Sequence, residues 1–427
     1  MRILYLSQYF PPEVGATQTR AYEMAQGLLR AGHQVTMLTE VPNHPEGVIR
    51  PEYRGKFWTR APLDGIDVIR VWVKTAPAKT FKTRMTFYLS YMLNALLAGL
   101  LLARGRYDVI YATSPPLFVG GAALALSRLR RIPLVFEVRD LWPESAVALG
   151  ELHNPRFIRW AAALEEACYR RARRIVVVTA GMRARLIERG IPAAKLALIP
   201  NGTNTEMFTP GPIDLGLRRS LDIAPEAFVV AYTGLHGLIH GMDVILDAAQ
   251  QFLTEGIDER QLLFLLVGDG VRKAHLVETA EARQLTNVRF LPMQPEAELP
   301  PLIRLADVGL ATIANVPLAK SSLPVKMFST MACGRPVVLA VEGEAREVLQ
   351  EAEAGLAVPP EDAPALVAAL KQLRADPALC RRLGENGRAF VEAHYSRQAQ
   401  ARTLVALLEA VGLDQHSGSP ISKSMLS

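Results

Sequence analysis

Short apolar runs rich in β-branched residues alternate along the chain with stretches of helical length. The runs hold almost no polar positions, which is typical of strands that are buried on both faces of a parallel sheet. Alternation of such strands with helices predicts a doubly wound α/β sheet. In the first half of the chain the predicted strands are residues 3–7, 34–38, 67–73, 108–113, 134–138, 175–179 and 196–200.

The same pattern begins again after a turn-rich segment, NGTNTEMFTPGP, at residues 201–212. Its Gly, Pro, Asn and Thr residues are typical of a domain boundary. We therefore predict two Rossmann-like domains, residues 1–200 and 201–392, which face each other across a cleft at the carboxyl ends of their strands. The strands predicted in the second domain are residues 228–234, 262–270, 287–292, 307–312 and 336–340.

The end of the chain has a helical pattern over residues 377–411. We expect its last part, residues 393–411, to be a C-terminal helix that packs back toward the first domain. The polar residues 412–427 are expected to form a disordered tail.

One predicted helix, residues 85–103, has 19 residues without a charge and is flanked on both sides by Lys and Arg. Such a helix is about 28 Å long, close to the thickness of a bilayer. We reject a membrane span, because the strands on either side of the helix belong to one sheet. Two alternatives remain: a buried crossover helix, or an amphipathic helix that rests on a membrane with its basic flanks on lipid phosphate.

Charge is distributed unevenly along the 427 residues, although the net charge is only +6. Residues 1–200 carry 28 basic and 15 acidic residues, a balance of +13, whereas residues 201–427 carry 20 and 27, a balance of −7. A basic half favours an anionic partner, either lipid headgroups or a phosphorylated acceptor. No recognised nucleic-acid motif accompanies it, so nucleic acid is not expected as a partner.

Three scattered Cys and eight scattered His residues show no metal-ligand spacing, so no metal site is predicted. The Cys are also too few for a disulfide framework. Because no signal peptide precedes the first predicted strand, we expect a cytoplasmic protein, with peripheral attachment to the inner face of the cell membrane as an extension of the second helix alternative.

The first strand is followed by a loop with Gly15 and then by an amphipathic helix, in the segment ILYLSQYFPPEVGATQTRAYEMAQGLL (residues 3–29). A strand, a tight loop and a helix are how an open α/β sheet presents a helix N-terminus to an anion. The loop has neither a dinucleotide-binding nor a P-loop pattern. It is therefore either a plain turn or a phosphate site of another kind.

Four charged residues crowd the end of a buried strand in LVFEVRDLWPESAVALG: Glu137, Arg139, Asp140 and Glu144. Charges at such a place are costly unless they face a cleft, so they are candidates for a site. The alternative for Asp140 is a helix cap, because Pro143 and Glu144 follow it.

Taken together, these segments resemble the retaining glycosyltransferases of family 4, which have the GT-B fold. The similarity covers nearly the whole chain in the right order, and DLWPES resembles bacterial surface-polysaccharide enzymes of the colanic acid and O-antigen type. The segments that carry it are the Gly15 loop, EVRDLWPES, EEACYRRARRIVVVTAGMRARLIERG, YTGLHGLIHG, LVGDG and KSSLPVKMFSTMACGRPVVLA.

The resemblance implies that Gly15 approaches the diphosphate or the sugar of a donor from the first domain. In the second domain it implies a phosphate-binding loop that begins at Gly234. Relatives often have an Arg and a Lys in this loop, where the present chain has Leu235 and His240. The nucleotide side of the cleft is implied to be lined by Gly268, Asp269 and Gly270, with Asp269 as either a ligand or a turn residue.

A second departure from the family lies in KSSLPVKMFSTMACGRPVV. Relatives often have two Glu that reach the donor sugar and the ribose, and their positions fall here on Ser321 and Ser329. Lys326 stands near a predicted helix start, where it could bind phosphate. We expect Lys326 to replace the basic residue that is missing at His240; the alternative is a solvated lysine.

On the acceptor side, Asp140 matches the position of the family's acidic or His residue near the acceptor hydroxyl. The resemblance makes it the candidate catalytic residue, which orients or deprotonates that hydroxyl or stabilises an oxocarbenium-like transition state. Further acceptor-side candidates are Glu13, Arg139 and Glu144.

The function implied by the resemblance is transfer of a hexosyl or N-acetylhexosaminyl group from an NDP-sugar, UDP-linked by preference, to a hydroxyl of a lipid-linked glycan. The reaction retains configuration, needs no metal and no cofactor, and serves cell-surface polysaccharide biosynthesis. Two alternatives stay open: a nucleotide-sugar 2-epimerase of GT-B fold, and a non-catalytic sugar-nucleotide-binding protein, which the missing Glu pair keeps in view.

Overall fold

A computed structural model describes residues 1–417, with the exception of residues 14, 45, 78–79, 149, 151, 317–319 and 321. The chain divides into two compact units. Unit 1 comprises residues 1–200 together with the chain from residue 400 onward, and unit 2 comprises residues 201–399. Each unit is built around its own sheet and its own core.

Unit 1 alternates strands and helices as the sequence pattern predicts. Its strands are β1 (Arg2–Leu6), β2 (Gln34–Glu40), β3 (Trp58–Leu63), β4 (Ile66–Val71), β5 (Val109–Ser114), β6 (Leu134–Val138), β7 (Arg174–Val177) and β8 (Leu196–Leu198). Its helices before the boundary are α1 (Ala16–Arg30), α2 (Phe81–Leu101), α3 (Phe118–Leu129), α4 (Glu144–Ala148), α5 (Pro155–Arg171) and α6 (Ala180–Glu188).

The strands of unit 1 form one sheet in the order β3-β4-β2-β1-β5-β6-β7-β8. All neighbours pair in parallel except β3, which pairs antiparallel with β4 through a turn at Asp64–Gly65. We did not predict β3, because this edge strand is largely exposed and lacks a continuous apolar run. The Asp-Gly pair, with positive φ at both residues, is the hairpin signal that could have found it.

Side chains of β1 point alternately into two cores, as the period of a strand requires. Leu4 and Leu6 belong to the core on the α2 and α3 side of the sheet. Ile3 and Tyr5 belong to the core on the α1 side. Because both faces of β1 are covered, its sequence is a continuous apolar run. For this reason the strand could be predicted from the sequence.

The end of the chain differs from the prediction of one helix over residues 377–411. Helix α14 (Pro377–Phe390) ends in a turn of π-helix, Val391–Tyr395, and a new helix α15 spans Arg397–Ser417. Leu404 and Leu408 of α15 are buried in the same core of unit 1 as Ile3 and Tyr5.

The prediction of disorder was wrong for residues 412–417, which continue α15. The physical reason is packing: Gly412 lies so close to Met1 that a Cβ there would come within 2.6 Å of the Met1 sulfur. The remaining part of the predicted tail, residues 418–427, lies outside the described residues.

Unit 2 also alternates strands and helices. Its strands are β9 (Phe228–Thr233), β10 (Leu262–Val267), β11 (Val288–Leu291), β12 (Val308–Thr312), β13 (Val337–Ala340) and β14 (Gly355–Val358). Its helices other than α14 are α7 (Leu215–Ser220), α8 (Asp243–Thr254), α9 (Lys273–Ala282), α10 (Leu299–Leu305), α11 (Val325–Ala332), α12 (Glu344–Glu351) and α13 (Ala363–Ala375).

The sheet of unit 2 is parallel in the order β11-β10-β9-β12-β13-β14. This is the doubly wound order in which the connections change direction between β9 and β12, and such a switch point opens a crevice at the carboxyl ends of the strands. Only β14 was not predicted in this sheet, because it is a four-residue edge strand that is mostly half-exposed. The predicted fold class, two doubly wound α/β domains, is confirmed.

A buried ion pair ties the first helix of unit 1 to the centre of its sheet. Two guanidinium nitrogens of Arg20 donate to Glu137 Oε1 at 3.0 and 2.8 Å, and Thr113 donates to Glu137 Oε2 at 2.6 Å. Arg20 also donates to the carbonyl oxygens of Ile199 and Pro200, both at 2.9 Å. Glu137 is fully buried, so our expectation that all four charges at this strand end face a cleft was wrong for this residue.

Burial alone would raise the pKa of Glu137, but the charges of Arg20 and Arg139 and the hydrogen bonds from Arg20 and Thr113 outweigh it. The pKa of this carboxyl therefore lies below its ordinary value of 4.5. A carboxylate with a lowered pKa stabilises the folded state at neutral pH, and this contribution is lost as the pH falls through the folded-state pKa.

We predict that Glu137→Gln lowers the free energy of unfolding by about 3 kcal/mol at neutral pH, because it leaves the buried charge of Arg20 without its partner. The measurement is a urea titration of the full chain followed by tryptophan fluorescence. This signal reports on unit 1 alone, because every tryptophan lies there: Trp58, Trp72, Trp142 and Trp160.

The matched control is Glu166→Gln. Glu166 pairs with Arg170 at 3.8 Å on the surface of α5, where the pair is 39% and 69% exposed. We expect this change to cost less than about 0.5 kcal/mol. Equal losses of unfolding free energy in the two variants would mean that the buried pair stabilises the fold no more than the surface pair does. The difference in the free energy of unfolding between Glu137→Gln and the wild type should also become smaller as the pH is lowered.

Candidate functional site

The crevice of unit 2 is bordered by two loops that follow neighbouring strands. The loop from Gly234 to His240 follows β9, and Gly268–Gly270 follows β10. Helix α11 begins at Val325, just after Pro324, and its Lys326 side chain lies against Gly234. The sequence-predicted residues Gly234, His240, Gly268, Asp269, Gly270 and Lys326 are therefore brought to one end of the unit 2 sheet.

Glycine is required in these loops because two backbone segments lie against each other. Gly268 has a φ of 153°, and a Cβ on it would come within 1.8 Å of the Gly234 carbonyl oxygen. A Cβ on Gly270 would come within 2.4 Å of the His236 carbonyl oxygen. Gly234 has a φ of 138°, which disfavours any side chain. The result is a surface of bare backbone.

Lys326 lies in the first turn of α11 and turns its amine inward. Its Nζ sits 3.5 Å from the centre of the Tyr232 ring, and a Cβ on Gly234 would meet this side chain at 3.3 Å. The amine is buried and has no hydrogen-bond partner within the residues that the structure describes. The side-chain stem stays partly exposed, so the charge lies deeper than the chain that carries it.

Burial lowers the pKa of Lys326 well below its ordinary value of 10.5. The face of Tyr232 opposes this shift, because an aromatic ring attracts a cation. The ring cannot replace the hydrogen bonds that an ammonium group makes in water, so we take the net direction to be downward. An anion placed beside Nζ would supply the missing acceptors and raise the pKa again.

The two histidines of the Gly234 loop are neutral at pH 7. Burial lowers the pKa of His236 to about 4, with further contributions from Lys273 and Lys326. Burial and Lys326 lower the pKa of His240 to about 4. The Nδ1 of His240 accepts from the backbone N–H of Gly237 at 3.2 Å, so this ring supports its own loop.

Sequence analysis missed the role of Lys273 and the depth of His236. Lys273 donates to the carbonyl oxygens of Gly268 and Leu291, at 2.7 and 2.9 Å, and so fixes the glycine loop after β10. His236 is fully buried, and neither ring nitrogen has a partner in the described part of the chain. No sequence signal distinguishes these residues from ordinary loop residues.

Asp269 behaves as a turn residue, the second of our two alternatives. Its Oδ1 accepts from the N–H of Gly270 at 2.7 Å, and its carbonyl oxygen accepts from the N–H of His236 at 2.9 Å. The side chain thus shapes the loop, and a role of Asp269 as a ligand stays a prediction.

Ser329 lies one turn beyond Lys326 in α11 and is 7% exposed. Its hydroxyl is 3.1 Å from that of Thr203, which is fully buried. Ser321, the other position of the missing Glu pair, lies outside the described residues. The role that we predicted for these two serines in donor binding stays a prediction.

In unit 1 the predicted residues Arg139 and Asp140 follow β6. Arg139 is 8% exposed, donates from Nε to Thr113 at 3.1 Å and lies 3.8 Å from Glu137. Its Nη2 is buried and meets no acceptor among the described residues, so it is available to donate to a ligand oxygen. Burial lowers the pKa of Arg139, and Glu137 opposes that shift.

Asp140 lines a cavity of about 130 Å³ in unit 1. A second cavity, of about 150 Å³, shares Arg84 and Tyr88 with the first. We call the two together the Tyr88 groove. Its further lining residues are Tyr9, Asn43, His44, Gly47, Thr75, Ala76, Thr83, Phe87, Pro115, Pro116, Leu117, Phe118, Trp142, Ser145 and Ala146.

Glu13 and Glu144, the other acceptor-side candidates, have local partners. Glu13 Oε1 accepts from the backbone N–H groups of Asn43 and His44 at 2.6 and 2.7 Å, and so holds the wall of the Tyr88 groove. Burial raises its pKa despite these bonds. Glu144 forms a surface ion pair with Arg185 at 3.1 Å.

Gly15 directly precedes α1, as predicted, and the carbonyl oxygen of Gly15 accepts from the N–H of Thr19 at 3.0 Å. Gly15 has no side chain with which to cap the helix, and the first turn of α1 carries no acidic residue. The first N–H groups of α1 therefore have no side-chain cap from Gly15, as an anion site at a helix start requires.

Comparison with known proteins gives matches in both halves of the chain. Residues 15–202 match the family described as glycosyl transferase 4-like domain, and residues 227–376 match glycosyl transferases group 1. The D-inositol 3-phosphate glycosyltransferase of Actinosynnema mirum is 30% identical over 74% of this chain and 76% of its own length. The chain belongs to the family 4 glycosyltransferases.

Two further proteins are similar to this glycosyltransferase over most of its length. The putative colanic acid biosynthesis glycosyl transferase WcaI of Escherichia coli is 25% identical over 87% of this chain and 92% of its own length. The solved structure of Anabaena HepE in complex with UDP-glucose superposes with a TM-score of 0.70 and 20% identity, covering 96% of this chain and 100% of that one. The likeness to HepE shows the GT-B fold.

For the ligand-free glycosyltransferase we predict that Lys326→Met raises the free energy of unfolding of unit 2 by about 1–2 kcal/mol at pH 7, because it removes a buried amine that has no acceptor. Scanning calorimetry of the full chain measures this, while tryptophan fluorescence, which reports on unit 1, should not change. The stability gained by Lys326→Met should become smaller as the pH approaches 10.5, the ordinary lysine pKa. The reason is that the wild type becomes more stable as its unfolded chain, too, loses the lysine proton. A destabilised variant would show that the amine is satisfied in the free protein.

Proposed function

We propose that this glycosyltransferase moves a sugar from a UDP-sugar to a hydroxyl group of a lipid-linked glycan, with retention of configuration, in the synthesis of a cell-surface polysaccharide. Unit 2 binds the donor and unit 1 binds the acceptor. The protein works without a metal ion, since its own cations and N–H groups neutralise the leaving diphosphate.

The observation that carries the proposal is the buried amine of Lys326. A lysine amine without an acceptor lowers the stability of the folded chain, and such a cost is typical of a functional site. The amine lies beside Gly234, on the side of α11 where backbone N–H groups start the helix. A diphosphate placed there would meet one ammonium group, one helix N-terminus and the bare glycine backbone, a combination that suits an anion.

The departures from the family pattern support this assignment. His240 is neutral, and Leu235 carries no charge, so the Gly234 loop contributes no cation at pH 7. Lys326 is a cation that lies beside this loop, at Gly234. HepE, which shares the fold, was solved with UDP-glucose, and this favours a uridine nucleotide as the donor.

On the acceptor side, we propose that the carboxylate of Asp140 accepts a hydrogen bond from the acceptor hydroxyl. As the bond between the anomeric carbon and the diphosphate oxygen breaks, the hydroxyl oxygen bonds to the same carbon and its proton passes to an oxygen of the departing diphosphate. The diphosphate departs with the electron pair, and the negative charge of Asp140 stabilises the cationic sugar ring of the transition state. The similarity to WcaI, named for colanic acid biosynthesis, favours a glycan acceptor.

We predict that Lys326→Met weakens UDP binding at least about tenfold at pH 7 but changes uridine binding little, because the lost contact is with phosphate. Isothermal titration calorimetry measures both. In the wild type, UDP binding should also take up protons, since the bound anion raises the pKa of a lysine whose pKa is low in the free protein. Affinity for UDP should therefore fall as the pH rises.

Lys371→Met is the control, because Lys371 is an exposed lysine of the same unit that pairs with Glu255. It should leave both affinities unchanged. Equal weakening of UDP and uridine in Lys326→Met would contradict the phosphate contact. Failure of the wild type to bind any nucleoside diphosphate would contradict the proposed donor.

We predict that Asp140→Asn lowers turnover by roughly 100-fold or more, since the variant keeps the shape of the side chain but loses its charge. UDP affinity and melting temperature should stay close to those of the wild type. Radiolabelled sugar transfer to a saturating glycan acceptor measures turnover.

Glu144→Gln is the matched control, because it removes a carboxylate four residues away that already pairs with Arg185 on the surface. Its turnover should be within about twofold of the wild type. If Asp140→Asn keeps near-normal turnover, Asp140 is a structural residue at the start of α4. If only Glu144→Gln is inactive, the catalytic carboxylate is Glu144.

A further inference from the structure

Helix α2 has two different faces although it is apolar almost throughout. Tyr91, Ala95 and Ala98 are buried against the sheet of unit 1. Leu93 and Leu97, on the other side, are 56% and 54% exposed. This exposed stripe continues at i+7 and i+8 with Leu100 and Leu101, which are 40% and 66% exposed. We call these four leucines the α2 stripe.

Contiguous exposed leucines of this kind mark an interaction surface, because single exposed apolar residues are normal but long stripes are not. Exposed aromatic residues lie near the start of α2, outside the α2 stripe. Phe81 is 46% exposed and contacts Phe157 edge-on at 5.4 Å. Phe157 in turn contacts Trp160 of α5, which is 43% exposed. Trp, unlike Phe, is enriched where proteins meet the interfacial layer of a bilayer, because its ring is amphipathic.

The charge around the α2 stripe has one sign. Residues 68–107 contain seven Lys or Arg and no Asp or Glu. Lys82 stands in the first turn of α2 and Arg104 lies just beyond its last turn, and both are exposed. Arg156 and Arg159 of α5 are exposed beside Trp160. An apolar stripe with cations at both ends matches a surface that has apolar chains below an anionic layer.

We infer that the α2 stripe is the docking surface of this protein for an anionic lipid membrane, with α2 lying in the plane of the interface. The four leucines enter the acyl boundary, and Lys82 and Arg104 contact lipid phosphates. In-plane docking agrees with hydropathy, since no helix among the described residues is long and apolar enough to cross a membrane.

The same helix connects docking to the acceptor. Arg84 and Tyr88 of α2 line both cavities of the Tyr88 groove, and Asp140 lines one of them. Arg84 and Tyr88 lie on the face of α2 that also carries Tyr91, away from the α2 stripe. A lipid-linked acceptor held in the membrane would therefore reach the groove along α2. This last step rests on the proposed function, whereas the docking itself does not.

The test is flotation of the full-length protein with vesicles of phosphatidylcholine alone or mixed with phosphatidylglycerol. The wild type should float with the anionic vesicles, and less so at high salt. Leu93→Gln/Leu97→Gln should lower the partition coefficient by about tenfold or more, because two leucines no longer enter the apolar layer. Lys82→Glu/Arg104→Glu should lose the preference for phosphatidylglycerol.

Ile187→Gln/Leu215→Gln is the matched control. It replaces two aliphatic residues that are 40% and 61% exposed elsewhere on the chain. This variant should float like the wild type. All variants should keep the melting temperature and the UDP affinity of the wild type, and Leu93→Gln/Leu97→Gln should keep transfer to a water-soluble acceptor analogue.

Three results would overturn the docking surface. The first is failure of the wild type to float with anionic vesicles. The second is flotation of Leu93→Gln/Leu97→Gln to the same extent as the wild type. The third is an equal loss of vesicle binding in the control Ile187→Gln/Leu215→Gln. A different result would assign the α2 stripe to a second copy of the chain. In that case the wild type does not bind vesicles and sediments as a dimer, and Leu93→Gln/Leu97→Gln sediments as a monomer. If docking holds but no sugar is transferred, only the proposed function is contradicted.

Discussion

The ion pair between Arg20 and Glu137 is the constraint on which the rest of unit 1 depends. A buried charge is tolerated only when it is paired and when its remaining hydrogen-bonding groups are satisfied. Here one guanidinium joins the first helix, the sixth strand and the carbonyl groups at the end of the eighth strand. The end of the sixth strand is thereby fixed, and Asp140 follows it directly.

In unit 2 the buried basic group, the amine of Lys326, has the opposite arrangement to that of Arg20. Arg20 makes hydrogen bonds to three different residues, whereas the amine of Lys326 lies over the face of Tyr232 and has no hydrogen-bond partner in the described part of the chain. The first arrangement stabilises the fold, and the second lowers its stability, since a buried amine without an acceptor is costly. Our proposal that an anion binds beside Lys326 rests on this difference.

Sequence patterns predicted the parallel strands well, because a strand buried on both faces has an unmistakable apolar run. They failed at the edges, where β3 and β14 are partly exposed. They also failed for Glu137, since its partner Arg20 lies 117 residues away and no local spacing connects the two. The candidate donor-binding residues were predicted only through family motifs, and the orientation of the Lys326 amine and the burial of His236 required the fold.

Unit 1 is assembled from both ends of the chain, and this has a consequence for synthesis. Leu404 and Leu408 close the core around Ile3 and Tyr5, but the ribosome makes them after the whole of unit 2. At ordinary elongation rates, roughly 10 to 40 seconds pass while residues 201–399 are translated. Throughout that interval the α1 face of the first sheet lacks the part of its cover that α15 supplies, although most of its strands exist. Unit 2 can therefore complete its fold first, whereas the core of unit 1 is completed only after α15 has emerged.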